Sequence, residues 1–362
     1  MTILVIGDAI ANQREAETPF RAGTMFKVAV NLAHLAREVR MVTNISEASD
    51  PQVVRDYAAA HGVELLLRPA TSPVSAASNP LSAASSPVSA ASSPVGAASN
   101  SVSAALTSGL PTPPPAAFTD AHYGDAHADP EESWDILPAP ERGARKLDFD
   151  LFSPSATIFG GDACHAMPAA HTVREWLRVC RSTSTIIYSP ALRHPRARNL
   201  DRVRIQAESF LQLSDVVVAT SKDIRLLYGI SGPENEFAAV AEHWFSFGPR
   251  LVAILLEDGA ALMITASGDR LHVASLPRPF VDVAGARSAF IATTIDTLDR
   301  VSLLGREASP GLATMSMSHL YTVGAFATTA RSLMTAHAGW EPLTRNELSE
   351  GFFEYQSREG LI

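Results

Sequence analysis

The chain has 362 residues, 46% of them hydrophobic and 19% charged, the balance of a globular protein with a sizeable core, which excludes global disorder. Lysine and arginine number 29 against 38 aspartates and glutamates, a formal charge of -9, and no basic run stands out, so neither nucleic acid nor an anionic membrane is expected as a partner. Only Cys164 and Cys180 are present, too few for a disulfide framework and without paired zinc-site spacing, so a reducing, cytoplasmic setting is expected.

The first predicted element is a buried strand over residues 3–7, an apolar run too short for a signal-peptide core and ended by Asp8. No apolar stretch reaches the roughly 18 to 20 residues that a membrane span requires. Met25, Val28, Ala29, Leu32 and Leu35 recur at helical spacing, and a strand over 40–44 completes a β-α-β unit. A helix over 53–60, stopped by His61-Gly62, leads to a strand over 63–67. The pattern then collapses into a repeat of about seven residues, of the type Ser-Pro-Val-Ser-Ala-Ala-Ser. Pro73, Pro80, Pro87 and Pro94 recur once per copy, and each would cost a helix about 3 kcal/mol, so the heptad is not a coiled coil. Residues 71–118 are expected to be a disordered or polyproline-like insertion in one core spanning 1–362, because small polar residues bury too little surface to offset ordering entropy. His122, Asp125, His127 and Asp129 show no recognised ligand spacing and read as a solvated acidic loop, so no metal is assigned there.

Beyond Phe149 the alternation resumes. A strand over 156–159 precedes a helix whose stripe is Val173, Trp176, Leu177 and Cys180. Strands over 185–188 and 215–219 follow, the second leading into a helix through Leu227 that Gly229 closes. Strands over 251–256 and 260–265 flank Glu257-Asp258-Gly259, a hairpin signal. This order predicts a mostly parallel sheet with helices on both faces and a ligand site at the carboxyl ends of the strands.

The chemistry concentrates in Asp282-Val283-Ala284-Gly285-Ala286-Arg287-Ser288-Ala289-Phe290, a turn of small residues opening a helix, where backbone N–H groups can meet an anion. Ser288 reads equally well as an ordinary first-turn residue. The segment resembles the C-terminal signature of the PfkB, ribokinase-like carbohydrate kinases, D-T-x-G-A-G-D-x-F, with Gly285, Ala286 and Phe290 matching. The resemblance implies that Gly285, Ala286 and Arg287 occupy the anion hole for the transferred phosphoryl group and that Ser288 stands at the position of the Asp base. A serine is no proton acceptor near neutral pH, so base assistance of about 10²- to 10⁴-fold should be lost. Arg287 adds a side chain, and a positive charge, where the family has glycine.

The remaining motifs are similar in order but altered. The family's first-strand G-x-x-x-x-D corresponds to Gly7 and Asn12, its G-G-x-x-x-N to Ala22 through Lys27 with Gly23 kept, and its D-P-N-x-R to Ser189 through Arg193. Asn12, Gly23, Lys27 and Arg193 are therefore the implied substrate-binding positions, although Lys27 also reads as a solvated helix residue. N-x-x-E, which orders magnesium and phosphate, corresponds to Thr220 through Asp223, and Asp223 also reads as a first-turn acid favoured by the helix dipole. T-x-G before the nucleotide hairpin is Ile254-Leu255-Leu256, so Leu256 is expected to obstruct the nucleotide cleft beside Gly259. The segment 338–348 is similar to the fructokinase ending G-A-x-P-P-T-R-x-E-L and reads as architectural.

The resemblance implies a three-layer α/β/α fold with a mostly parallel sheet and a small β lid disrupted by the insertion. It also implies ATP and Mg²⁺ as cofactors, a fructose-like sugar as substrate, and a homodimer formed through a lid that is altered here. The coincident changes favour a homologue that has lost phosphotransfer and keeps a binding or regulatory role. Two alternatives stand beside it: an active kinase using Asp223, Asp282 or another acid as an atypical base, and a non-enzymatic interaction scaffold.

Overall fold

The computed structural model describes residues 1–9, 22–43, 51–67, 153–165, 169–192 and 200–360. Asn12, Arg193, the 71–118 insertion and the loop containing His122 to Asp129 lie outside them. In chain order the elements are β1 (Thr2–Ile6), α1 (Thr24–His34), β2 (Glu38–Val42), α2 (Pro51–Ala60), β3 (Val63–Leu66), β4 (Ala156–Gly160) and a 3₁₀ turn at Asp162–Cys164. Then come α3 (Ala169–Cys180), β5 (Thr185–Ser189), α4 (Leu200–Leu211), β6 (Val216–Thr220), α5 (Ser221–Tyr228) and α6 (Glu234–Phe245). The last third holds β7 (Leu251–Leu255), β8 (Ala261–Thr265), β9 (Arg270–Val273), α7 (Ala286–Arg300), a 3₁₀ turn at Ser309–Thr314, α8 (Met317–Thr335) and α9 (Arg345–Arg358).

The strands form one sheet of nine in the order β3-β2-β1-β4-β5-β6-β7-β8-β9. Pairing is parallel from β3 to β7, with Ile3 opposite both Val39 and Ala156, and antiparallel through the β7-β8-β9 meander. Among the described residues every strand belongs to this sheet, so the lid expected from the sequence is not among them. No helix of the described residues is long and apolar enough to cross a membrane.

Strand alternation sorts side chains between two hydrophobic layers. Ile3, Val5, Ile158, Ile187, Val216, Val218, Leu251, Ala253 and Met263 face a core shared with α1, α2, α7 and α8. Leu4, Ile6, Phe159, Tyr188, Val217, Val252, Ile254 and Ile264 face a second core built with α3, α4, α5 and α6. Because a parallel sheet is covered on both sides, these strands read as continuous apolar runs, and the two layers are distinguished by parity alone. Cys164 and Cys180 are both free thiols buried in the second layer.

The eight strands expected from the sequence all form, with β2 starting two residues earlier than its apolar run because Glu38, exposed at the entry, already pairs with Thr2. Helix α2 likewise begins at Pro51, a residue whose missing N–H is no loss in a first turn.

Candidate functional site

Four turns at the carboxyl end of the sheet bring the candidate residues together, and each is shaped by a local requirement. Gly23 is the N-cap of α1, and a Cβ there would lie 2.4 Å from the Asp8 carbonyl oxygen, so only glycine fits. Asp8 is buried, and its carboxylate accepts from the amides of Asp162 (2.9 Å) and Ala163 (3.2 Å), fixing the loop after β4 against the end of β1. One turn into α1, the Lys27 ammonium lies over the Trp340 ring, 5.3 Å from its centre.

The turn before α7 is held by Asp282 and Gly285. Asp282 accepts from the amides of Gly339 (2.9 Å) and Ala284 (3.1 Å), and these hydrogen bonds hold its carboxyl below the usual value. Gly285, the N-cap of α7, is left-handed at φ 77°, and a Cβ there would come within 2.3 Å of the Trp340 indole. Glycine at 285 is therefore required both by the left-handed backbone and by Trp340. Ser288 is buried, donates to the Gly285 carbonyl (2.8 Å) and accepts from the Asn31 amide (3.4 Å). It is a satisfied first-turn hydroxyl.

Across the cleft, Thr220 caps α5 in a reciprocal box with Asp223. The Thr220 amide (2.9 Å) and hydroxyl (2.8 Å) donate to Asp223 Oδ2, and the Asp223 amide donates back to Thr220 Oγ1 at 3.1 Å. Asp223 Oδ1 accepts from the Leu192 amide at 3.0 Å and faces Arg287 Nη2 at 3.2 Å. Arg287 also donates to Thr220 Oγ1 at 3.2 Å. The guanidinium thus ties the N-terminus of α7 to the N-terminus of α5, and the one acid of the Thr220–Asp223 segment is buried and surrounded by protein donors. A divalent cation does not fit at Asp223: its oxygens are committed and a cation already sits beside them. No group of three or more potential metal ligands occurs among the described residues.

At the β7-β8 hairpin, strand parity sends Leu255 to the layer of α7 and α8, while Leu256 is partly buried against the second core. Gly259 is left-handed (φ 92°), and a Cβ there would meet the guanidinium of Arg331 at 2.2 Å. Burial lowers the pKa of that guanidinium, and Asp258 beside it acts in the opposite sense.

Ala22, Thr24, Lys27, Val283, Ala284, Gly285, Arg287 and Ser288 line one cleft of about 270 Å³. It unites the α1 and α7 motifs, which the sequence separates by more than 250 positions, and leaves Thr220, Asp223 and Leu256 outside its wall. Asn31, Trp340 and Arg331 were not singled out from sequence. Asn31 lies within the apolar stripe of α1, and Trp340 and Arg331 carry no spacing signal that connects them to turns so distant in the chain.

No protein-family model matches the sequence, and no curated protein matches it. Solved structures do match in three dimensions. A fructokinase from Xylella fastidiosa aligns with a TM-score of 0.62 at 16% identity, over 98% of this chain and 99% of that one. The aminoimidazole riboside kinase from Salmonella enterica, complexed with aminoimidazole riboside and an ATP analogue, aligns at 0.59 with 16% identity over 97% and 100%. A fructokinase from Vibrio cholerae O395, bound to fructose, ADP and calcium, gives 0.59 with 15% identity over 97% and 98%. The architecture is therefore an α/β fold of the sugar-kinase type. More particularly, it is the ribokinase-like fold of the PfkB carbohydrate kinases.

Proposed function

We propose that this chain is a PfkB-type carbohydrate kinase homologue that has lost phosphotransfer and retains a small-molecule cleft with a binding or regulatory role. The observation that carries the reading is the Arg287 guanidinium, which spans from the anion turn to Thr220 and Asp223. Phosphoryl transfer rests on positioned charge around the phosphate, supplied in active enzymes by backbone N–H groups and metal ions. Here a side chain crosses the turn, the acid that would help order a metal is neutralised from within, and the base position holds a hydroxyl committed to Gly285. Neither alternative acid is well placed to act as a base. Asp223 is saturated with donors, and the two amides on Asp282 favour its ionised form and weaken it as a proton acceptor. The ATP analogue and the ADP with calcium bound in the solved neighbours are not carried over to this chain.

The test is a coupled assay of ADP release with fructose, ribose and aminoimidazole riboside in Mg-ATP. The expected result is no sugar-dependent release above background. Turnover that disappears in Asp223→Asn or Asp282→Asn would overturn the reading and identify the replacement acid.

A further inference from the structure

We propose that the hydrogen-bonded pair of His34 and His61 is a proton-sensitive joint that holds α2 against α1 and, through the rings of Tyr57 and Trp340, sets the backing of the cleft. His34 is the last residue of α1, and His61 directly follows α2. Both rings are partly buried, and His34 Nε2 lies 2.7 Å from His61 Nδ1. A contact this short needs one N–H and one lone pair. Two protonated rings would set N–H against N–H and charge against charge, so the bond persists only while at least one ring is neutral.

The charges around the pair decide how readily it takes up its last proton. Burial first, and then the charge of His61, push the His34 pKa below its ordinary value of 6.5. Glu347 on α9 acts in the opposite sense, as does the C-terminal dipole of α1. Arg345 of α9 reaches the Leu35 carbonyl beside His34 but is matched by Asp296 of α7, which also receives Arg37. Between α8 and α9, His337 bonds the Leu333 carbonyl at 3.2 Å and Glu341 acts on Tyr57. Burial and that acid raise the Tyr57 phenol, and Thr344 holds the Glu347 carboxyl below its ordinary 4.5, so neither changes charge between about pH 8 and pH 5. Within the joint the two imidazoles are the groups that do.

A ladder of rings connects the joint to the cleft. The Tyr57 ring lies 4.3 Å from His61 and 6.3 Å from Trp340, centre to centre, with Phe26 of α1 at 6.0 Å. Trp340 in turn bears on the backbone of Gly285, which lines the cleft. Parting the histidines frees the C-terminal end of α2 from α1, and Tyr57, one turn back from His61, moves with it. Trp340 then loses the ring on its α2 side.

The experiment is a titration of the full chain from about pH 8 to pH 5, with the Trp340 fluorescence taken as the difference between the unmodified protein and Trp340→Phe. It should show one step with its midpoint below 6.5, and the His34 ring protons, followed by NMR in the unmodified chain, should titrate at that same midpoint. His34→Gln keeps a side-chain amide but cannot titrate, and should remove the step. Glu347→Gln withdraws the acid that favours a proton on His34 and should move the midpoint to lower pH, whereas His61→Gln should raise the His34 midpoint. The unfolded chain takes up the His34 proton before the folded one does, so the urea midpoint should fall as pH drops through 6.5, and fall less in His34→Gln. A flat Trp340 signal, a step unchanged in His34→Gln, or a His34 curve indifferent to the loss of His61 would overturn the proposal. These readouts need neither ligand nor turnover, so sugar-dependent ADP release would sink the loss of phosphotransfer and leave them untouched.

Discussion

Replacing Arg287 with alanine would leave the buried Asp223 carboxylate with the Thr220 amide, the Thr220 hydroxyl and the Leu192 amide, but without its counter-charge. We expect a loss of about 1 to 3 kcal/mol in urea unfolding, the usual cost of withdrawing one partner from a buried polar group. An unchanged midpoint would show that the pair is idle. Ser288→Asp behaves differently. It returns a carboxylate to the base position, yet sets it against the Gly285 carbonyl to which the serine hydroxyl now donates. The expected outcome is a less stable protein with no sugar-dependent ADP release. The residue scale is also where sequence reasoning was least complete. The T-S-K-D segment allowed Asp223 to be either a metal-ordering acid or a first-turn acid, and only its reciprocal bonds with Thr220 give it the second role.

At the scale of elements, the tail similar to the fructokinase ending has a plain physical account. Thr344 and Glu347 form a capping box at the start of α9, with the Thr344 hydroxyl donating at 2.6 Å and its amide at 2.8 Å. The next residue, Arg345, reaches the Leu35 carbonyl and the buried Asp296, which also receives Arg37 at 2.6 Å. One short motif thereby fastens α9 to α1 and α7. Thr344→Ala should cost about 0.5 to 2 kcal/mol, measured by denaturant titration. The Thr344 hydroxyl and amide hold the Glu347 carboxyl below its ordinary value of 4.5. Its contribution is therefore present above that value and lost as pH falls through the lower folded one. Glu347→Gln should flatten the acid limb of the stability curve. Helices legible in sequence were those with a single apolar stripe, such as α3. Helix α8 is buried on most sides, from Leu320 to Thr335, so no stripe announces it, and β9 escaped notice because its pattern is largely polar and exposed.

For the whole molecule, the single-core reading treats residues 71–118 as an insertion between β3 and β4. These two strands are parallel members of one sheet separated by β2 and β1, so the connection must cross three inter-strand spacings of about 4.8 Å each. Residues 119–155 alone suffice for that span. Exchanging 71–118 for a short Gly/Ser linker should leave the thermal midpoint within a few degrees, and a larger drop would mean the segment packs on the core. Fold was legible because apolar runs and their order persist in the chain. The site was legible only as a set of altered positions, since the pairing of residue 287 with residue 223 depends on how β6 and α7 meet. That pairing also makes positions 287 and 223 interdependent. While position 287 is arginine, the charge at Asp223 is balanced. Glycine at 287 alone would strand a buried anion. Opening the turn therefore costs stability unless both ends change together, so the guanidinium works as a latch whose release is coupled to the fold.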